Sequence, residues 1–269
     1  MHTISHRLPL FRVFLIVLLA LMLATACSRE TVDEDLSAEA LYAEAKEAMD
    51  ARRYEVAITL YRRLTTLYPF GRHAEQAQLD LAYVQYRSNR GEDAITTLDR
   101  FIRTYPTHPN VDYAWYLKGL VHYDDALGFL RQLFPDQVID RDQTSARLAF
   151  DDFQELTQRY PQSRYVADAR QRMVYLRNVL AQYEITVAEY YFRRGVYLGA
   201  INRAKYVLEM YPNAPAKLEA LDIMQRAYTE LGLPELAADT REVLELNLDG
   251  ASLPEPEPKS FLQKLWPFD

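Results

Sequence analysis

A single cysteine in 269 residues leaves no partner for a disulfide within the chain, and five histidines are too few and scattered for a Cys/His metal site. Glycine is also scarce: eight residues cannot supply the turns of an all-β sandwich or barrel. Positive charge is in deficit, with Lys+Arg 31 against Asp+Glu 38 and a net charge of −7, which excludes nucleic-acid binding by phosphate neutralisation. The chain also lacks G-x-S-x-G, H-E-x-x-H, a phosphate-binding Walker loop and the dinucleotide glycine fingerprint. What is present is a 49% hydrophobic content, enough for one large or two small cores, and an excess of tyrosine, 20 residues.

The first 27 residues read as an export signal. His2, His6, Arg7 and Arg12 make a basic start, and residues 13–24 form an unbroken apolar run. Twelve helical residues rise about 18 Å, short of the roughly 30 Å hydrocarbon core, so the run is a signal segment rather than a span. Cys27 follows it directly, behind small residues, and resembles the acylated cysteine of a bacterial lipobox, although Ala24 stands where leucine is usual. The alternative is an ordinary secretory signal with an incidental cysteine. On the lipobox reading, residues 1–26 are removed, 27–37 form a lipidated linker, and Ser28 implies export to the outer membrane. Several acyl chains on Cys27 hold the body stably to that membrane.

Self-similarity organises the rest. Tyr-Pro occurs four times, at Tyr68-Pro69, Tyr105-Pro106, Tyr160-Pro161 and Tyr211-Pro212. Twelve residues before each proline stands an alanine (Ala57, Ala94, Ala149, Ala200), and eight after each stands another (Ala77, Ala114, Ala169, Ala220). Tyr61, Leu98, Phe153 and Ala204 recur eight residues before the prolines, and Leu64, Phe101, Leu156 and Val207 five before. This matches the tetratricopeptide pattern: a small residue lets helix B approach helix A, a larger one fills the gap, and proline stops helix B. A helices are expected at 38–52, 74–87 and 111–127, the last carrying Trp115, Gly119 and His122 at the pattern's spacing. Gly91 and Gly232 are placed in A-to-B turns with positive φ. A fifth repeat, with Ala237 as its small residue, spans about 216–248. The expected fold is an all-α solenoid of about five tetratricopeptide-like helix pairs.

The irregularities divide it. The prolines are spaced 37, 55 and 51 residues apart, against roughly 34 in regular repeats. In the third repeat the excess lies between the helices, at about 124–145. In the fourth, no Pro or Gly interrupts 162–194, so one A helix of about thirty residues separates repeats 1–3 (38–161) from repeats 4–5 (162–249). A Pro/Glu linker and a short apolar tail occupy 250–269, with Phe261, Leu262, Leu265, Trp266 and Phe268 in its last ten residues. The tail is either a docking segment, for a partner or for the solenoid itself, or a frayed end.

Chemistry is absent from this reading. His73, His108 and His122 fall at structural places in A helices, and Asp140, Asp142, Asp151 and Asp152 read as helix-start charges without EF-hand spacing. No cofactor and no metal is expected beyond a covalent lipid on Cys27, and the protein is not expected to be an enzyme. Binding remains. Registering the repeats by their prolines puts Tyr42, Leu79, Tyr83, Tyr86, Arg87, Tyr116, Leu120 and Tyr123 on or beside the concave groove, with Tyr68 and Phe70 of the first Tyr-Pro loop as further contacts. A trough of this kind suits an extended peptide with aromatic and apolar side chains. Half of the set could equally be core residues whose hydroxyls reach the surface.

The lipobox, the five repeats, and the segments Tyr68-Pro-Phe-Gly71, Asp99-Arg-Phe-Ile-Arg103, Pro106-Thr-His-Pro-Asn110, Asp140-Arg-Asp142, Ala188-Glu-Tyr-Tyr191 and Asn202-Arg203 resemble the BamD family of outer-membrane assembly lipoproteins over nearly all of 27–248. The resemblance implies a lipoprotein on the inner leaflet of the outer membrane, facing the periplasm, in the β-barrel assembly machine. It implies that the N-terminal repeats receive C-terminal signals of unfolded outer-membrane proteins. The C-terminal repeats would dock on the barrel subunit BamA, and further assembly-machine lipoproteins would bind as well. Arg203 matches the family arginine that pairs with an acidic residue of the barrel subunit; on the sequence alone it is one arginine of a solvated face. The tail is outside the family pattern. A different class of function is a lipid-anchored envelope scaffold or tether that never touches unfolded substrates, and binding of barrel-signal peptides separates the two.

Overall fold

The computed structural model describes residues 36–127 and 143–248. Cys27, the leader, the insert in the third repeat and the C-terminal tail therefore lie outside the described residues.

Among the described residues the secondary structure is all helical, in five successive pairs. They are α1 (Ala38–Asp50) with α2 (Tyr54–Leu67), α3 (Arg72–Arg87) with α4 (Gly91–Thr104), α5 (Val111–Leu127) with α6 (Thr144–Arg159), α7 (Val166–Arg193) with α8 (Tyr197–Met210), and α9 (Lys217–Glu230) with α10 (Pro234–Leu248). Each helix packs chiefly on its neighbours in sequence, as a solenoid requires. The expected A helices hold to within two residues at their ends, and the long one runs 28 residues.

Helix B of each of the first four repeats ends where the sequence directs. Tyr68, Tyr105, Tyr160 and Tyr211 cap α2, α4, α6 and α8 with φ between −126° and −129° and ψ between 48° and 72°, outside the helical region that a following proline disfavours. Four A-to-B turns share one device. Arg52, Asn89, Gly195 and Gly232 take positive φ two residues past the helix end. The next N–H then donates back five residues, as from Arg53 to Ala48, Arg90 to Gln85, Val196 to Tyr191 and Leu233 to Tyr228. Gly232 fits the expectation, but Gly91 does not. The left-handed residue must stand two places past the helix end, so Asn89, whose side chain tolerates that region, takes the role. Gly91 instead begins α4.

The repeat alanines (Ala57, Ala94, Ala149, Ala200, Ala237) are all buried, as are Tyr61, Leu98, Phe153 and Ala204 four residues on. The fit is tight at Gly119, where an added Cβ would stand 2.6 Å from Cε1 of Phe153. In the last repeat the equivalent of Phe153 is Arg241, and it is exposed. The long helix α7 serves two cores. Leu176, Val179 and Leu180 join the cluster of α5 and α6, whereas Ala181, Ile185 and Ala188 join that of α8 and α9.

Candidate binding faces on the A helices

The A helices are tied to one another by a recurrent side-chain bond. Tyr42 of α1 donates to Asp80 of α3 (2.8 Å), Tyr86 of α3 donates to Asp124 of α5, and Tyr116 of α5 donates to Asp168 of α7 (2.8 Å). Burial and the carboxylate partner push the Tyr42 and Tyr86 hydroxyls well above the ordinary range, and Tyr116 up to about 12. Burial works against the charge of Asp168, but hydrogen bonds from Arg172 and Tyr116 outweigh it and hold the carboxyl below its usual value. The hydroxyls are therefore committed within the chain, and what these tyrosines offer outward is ring surface.

Around these bonds the aromatic rings continue. Tyr42 lies against Tyr61 and His73, Arg87 donates to Tyr83 (3.0 Å) and stands over the Tyr54 and Tyr83 rings, and Tyr116 stacks on Tyr165 at 4.5 Å between centroids. Tyr42, Tyr83, Tyr86, Tyr116 and Leu120 are half-buried and Arg87 is exposed. Phe70 is 89% exposed, and Tyr68 beside it donates to the carbonyl of Leu36 at the start of α1.

Two of the expected groove residues are elsewhere. Leu79 is fully buried with Leu98 and Phe101, and Tyr123 is buried against Phe153 and Tyr175. The reason is geometric: an A helix inside a solenoid buries one face against its own repeat and another against the preceding one. In α3, Ala74, Ala77, Leu81 and Val84 belong to one cluster and Leu79 and Ala82 to the next, leaving only a narrow strip exposed. Of the other terminal tyrosines, Tyr160 and Tyr211 each join two clusters and so pack between repeats.

The acidic group also needs correction. Asp151 and Asp152 lie two turns into α6, which begins at Thr144, and so are not helix-start charges; Asp140 and Asp142 lie outside the described residues. Asp152 is buried, 2.6 Å from Nδ1 of His122 and 3.3 Å from Nζ of Lys118. Burial alone would lower the Lys118 ammonium, but Asp99 and Asp152 outweigh it and raise it. Here a polar network replaces a core contact. His73 and His108 are likewise occupied, the first against Tyr42 and the second accepting from the Asn110 N–H at 3.1 Å.

At the junction of repeats 3 and 4 a different arrangement appears. Glu184 of α7 is 1% exposed, yet carries two guanidinium partners: Arg203 of α8 (3.0 Å) and Arg147 of α6 (3.3 Å). The Arg203 side chain keeps 45% of its surface exposed. It lines an open cleft with Tyr191, Val196, Gly199, Asn202 and Tyr206. Sequence reasoning singled out Arg203 but missed Glu184 and Arg147. The signal was available, since Glu184 sits among Ala181, Ile185 and Ala188 on the buried stripe of α7, where a carboxylate requires a cationic partner. Among the described residues, no cluster of three or more His, Cys, Asp or Glu could hold a metal ion.

Known proteins with similar sequences agree on one family. A family model described as "Outer membrane lipoprotein" (YfiO) matches residues 34–244. The "Outer membrane protein assembly factor BamD" of Neisseria meningitidis serogroup A is 42% identical over 262 residues, covering 95% of each chain. The protein of that name from Xylella fastidiosa Temecula1 is 40% identical, covering 86% of this chain and 80% of its own. That of Vibrio cholerae is 38% identical, covering 86% and 96%.

Proposed function

The chain belongs to the BamD family of outer membrane lipoproteins, and on that premise we propose that it receives C-terminal signals of unfolded outer-membrane proteins on its N-terminal A helices while α7–α10 dock on a BamA-like barrel subunit. Family membership makes it an outer-membrane-associated component of the assembly machinery, an accessory factor rather than a catalyst. No helix among the described residues is long and apolar enough to cross a membrane. Attachment is assigned to lipid on Cys27, on the periplasmic side, and further assembly lipoproteins are expected as neighbours.

One observation carries the substrate reading. Tyr42, Tyr86 and Tyr116 spend their hydroxyls on Asp80, Asp124 and Asp168, so their exposed ring surface is apolar and rigidly held. Such a strip, flanked by the protruding Phe70, favours aromatic and aliphatic side chains of an extended peptide over charged ones. For docking, the support is Arg203, fixed at its inner side by Glu184 and open on its outer side, where a partner carboxylate can share the guanidinium.

The test is a pulldown from detergent-solubilised envelopes with the tagged full-length chain, beside Cys27→Ala and Arg203→Gln. Recovery of a large β-barrel protein with periplasmic domains, weakened by Arg203→Gln, is expected. Recovery of envelope scaffold proteins and no barrel would overturn the reading. The neutral amide matters, because Arg203→Glu would also set a second carboxylate against buried Glu184 and disturb the α7–α8 junction. In parallel, peptides ending in a barrel signal should bind the wild-type chain better than Phe70→Ala; equal binding removes that loop from the site.

A further inference from the structure

The outer surface of α10 differs from that of every other B helix. Counting from the repeat alanine, the residue six places on is Arg63, Arg100, Glu155 or Tyr206 in repeats 1–4, and the residue nine places on is Thr66, Arg103, Gln158 or Glu209. In the fifth repeat these positions are Val243 and Leu246; the residue preceding the alanine is Leu236, a place where repeats 1 and 3 also expose an apolar residue, Val56 and Leu148. All three are exposed, Leu246 at 71%. Spacings of seven and three residues put them along one side of the helix. Solenoid packing does not ask for them: α10 packs on α9 through Ala237, Thr240 and Leu244. The position that would receive a sixth repeat is the exposed Arg241.

The chain itself continues past Leu248 with a matching segment. Five apolar residues, Phe261, Leu262, Leu265, Trp266 and Phe268, fall within the last nine positions, with Lys264 among them and Lys259 two residues before. Asp239 lies within the stripe, between Leu236 and Val243, and Glu235 and Glu242 border it; all three are exposed and none is in an ion pair among the described residues. The charges are complementary. Reach is sufficient as well: residues 249–260 can span up to about 40 Å, whereas the whole of α10 rises about 22 Å. We propose that the C-terminal segment 261–268 folds back onto the Leu236–Val243–Leu246 stripe of its own chain and caps the solenoid, with Lys259 and Lys264 facing the acids of α10. Tethering favours this occupant over a free one, since a linker of this length holds the segment at an effective concentration on the order of millimolar.

The experiment uses the full-length lipidated chain in detergent, alone and over a dilution series. Trypsin cleavage after Lys259 and Lys264 is followed by mass spectrometry, beside a variant with Leu236→Asp, Val243→Asp and Leu246→Asp. These positions are exposed, and circular dichroism and thermal melting verify that the variant is folded. Cleavage is expected to be about tenfold slower in the wild type, independent of protein concentration. Equal rates in the two proteins would overturn the proposal, and so would protection that disappears on dilution, which would assign the stripe to a second copy. A photo-crosslinking residue at position 266 gives a second reading. Attachment within 235–246 of the same chain is expected; attachment only to detergent, lipid or another chain would overturn it.

Discussion

Tyr42, Tyr86 and Tyr116 tie the first four A helices together by hydroxyl-to-carboxylate bonds, whereas beyond the middle of α7 the corresponding spacing carries Gln182 to Glu219 and Arg226 to Glu189. The buried acid of the second region, Glu184, is neutralised by two arginines. Both devices fix the angle between successive repeats, but they leave different surfaces. Hydroxyl donors satisfy the carboxylate without cancelling its charge and present rings; guanidinium donors keep spare N–H groups and present positive charge. One fold thus gives an aromatic strip at one end and cationic anchorage at the other.

The comparison is broken most severely at a core contact that the two regions do not share. Phe153→Ala should destabilise the N-terminal region by about 3–5 kcal/mol, because Phe153 fills the space over Gly119, whereas Ala204 already holds the equivalent place in the fourth repeat. Denaturant unfolding measures it, and a loss near zero would mean that α5 and α6 can collapse onto each other. Next in size is removal of both arginines from Glu184. Arg147→Ala with Arg203→Ala should cost about 2–3 kcal/mol, more than the two single losses summed, since either guanidinium alone still compensates the charge. Additivity in a double-mutant cycle would show that water reaches the carboxylate.

Tyr116→Phe should cost about 1–2 kcal/mol by leaving Asp168 with Arg172 alone, and melting temperature reads the loss. Burial of the tyrosine hydroxyls predicts an alkaline limit. Tyr116 and Tyr211 are raised to about 12 from the ordinary value near 10, so the stability they contribute is complete below pH 10 and is lost as pH rises towards 12. A urea midpoint unchanged from pH 9 to 11.5 would contradict it. The smallest effect is expected at Phe70: Phe70→Ala should leave stability within about 0.5 kcal/mol, since the ring is exposed, so any loss of peptide binding there reports on binding.

Leu79 and Tyr123 show where pattern reading stops. Counting back from a proline places a residue on an A helix, and it found the strip of half-buried tyrosines. It could not separate the exposed strip from the second buried face, because that face exists only once the repeat's own helix B and the following A helix are packed against it. Gly91 and Asp152 fail for related reasons. One was assigned by residue type where Asn89 held the required position, and the other by charge where His122 and Lys118, some thirty residues earlier, satisfy it from α5.

The sequence by itself determined the repeat, the ends of the B helices, the doubled A helix and the family, because proline geometry, alanine spacing and uninterrupted helical runs act within a few residues. Only the tertiary structure decided which aspartate each tyrosine meets, that Glu184 is buried between two arginines, and that the outer side of α10 is left apolar. Those outcomes depend on side chains brought together from about 20 to 50 residues apart, and no local preference encodes such a meeting until the helices have stacked.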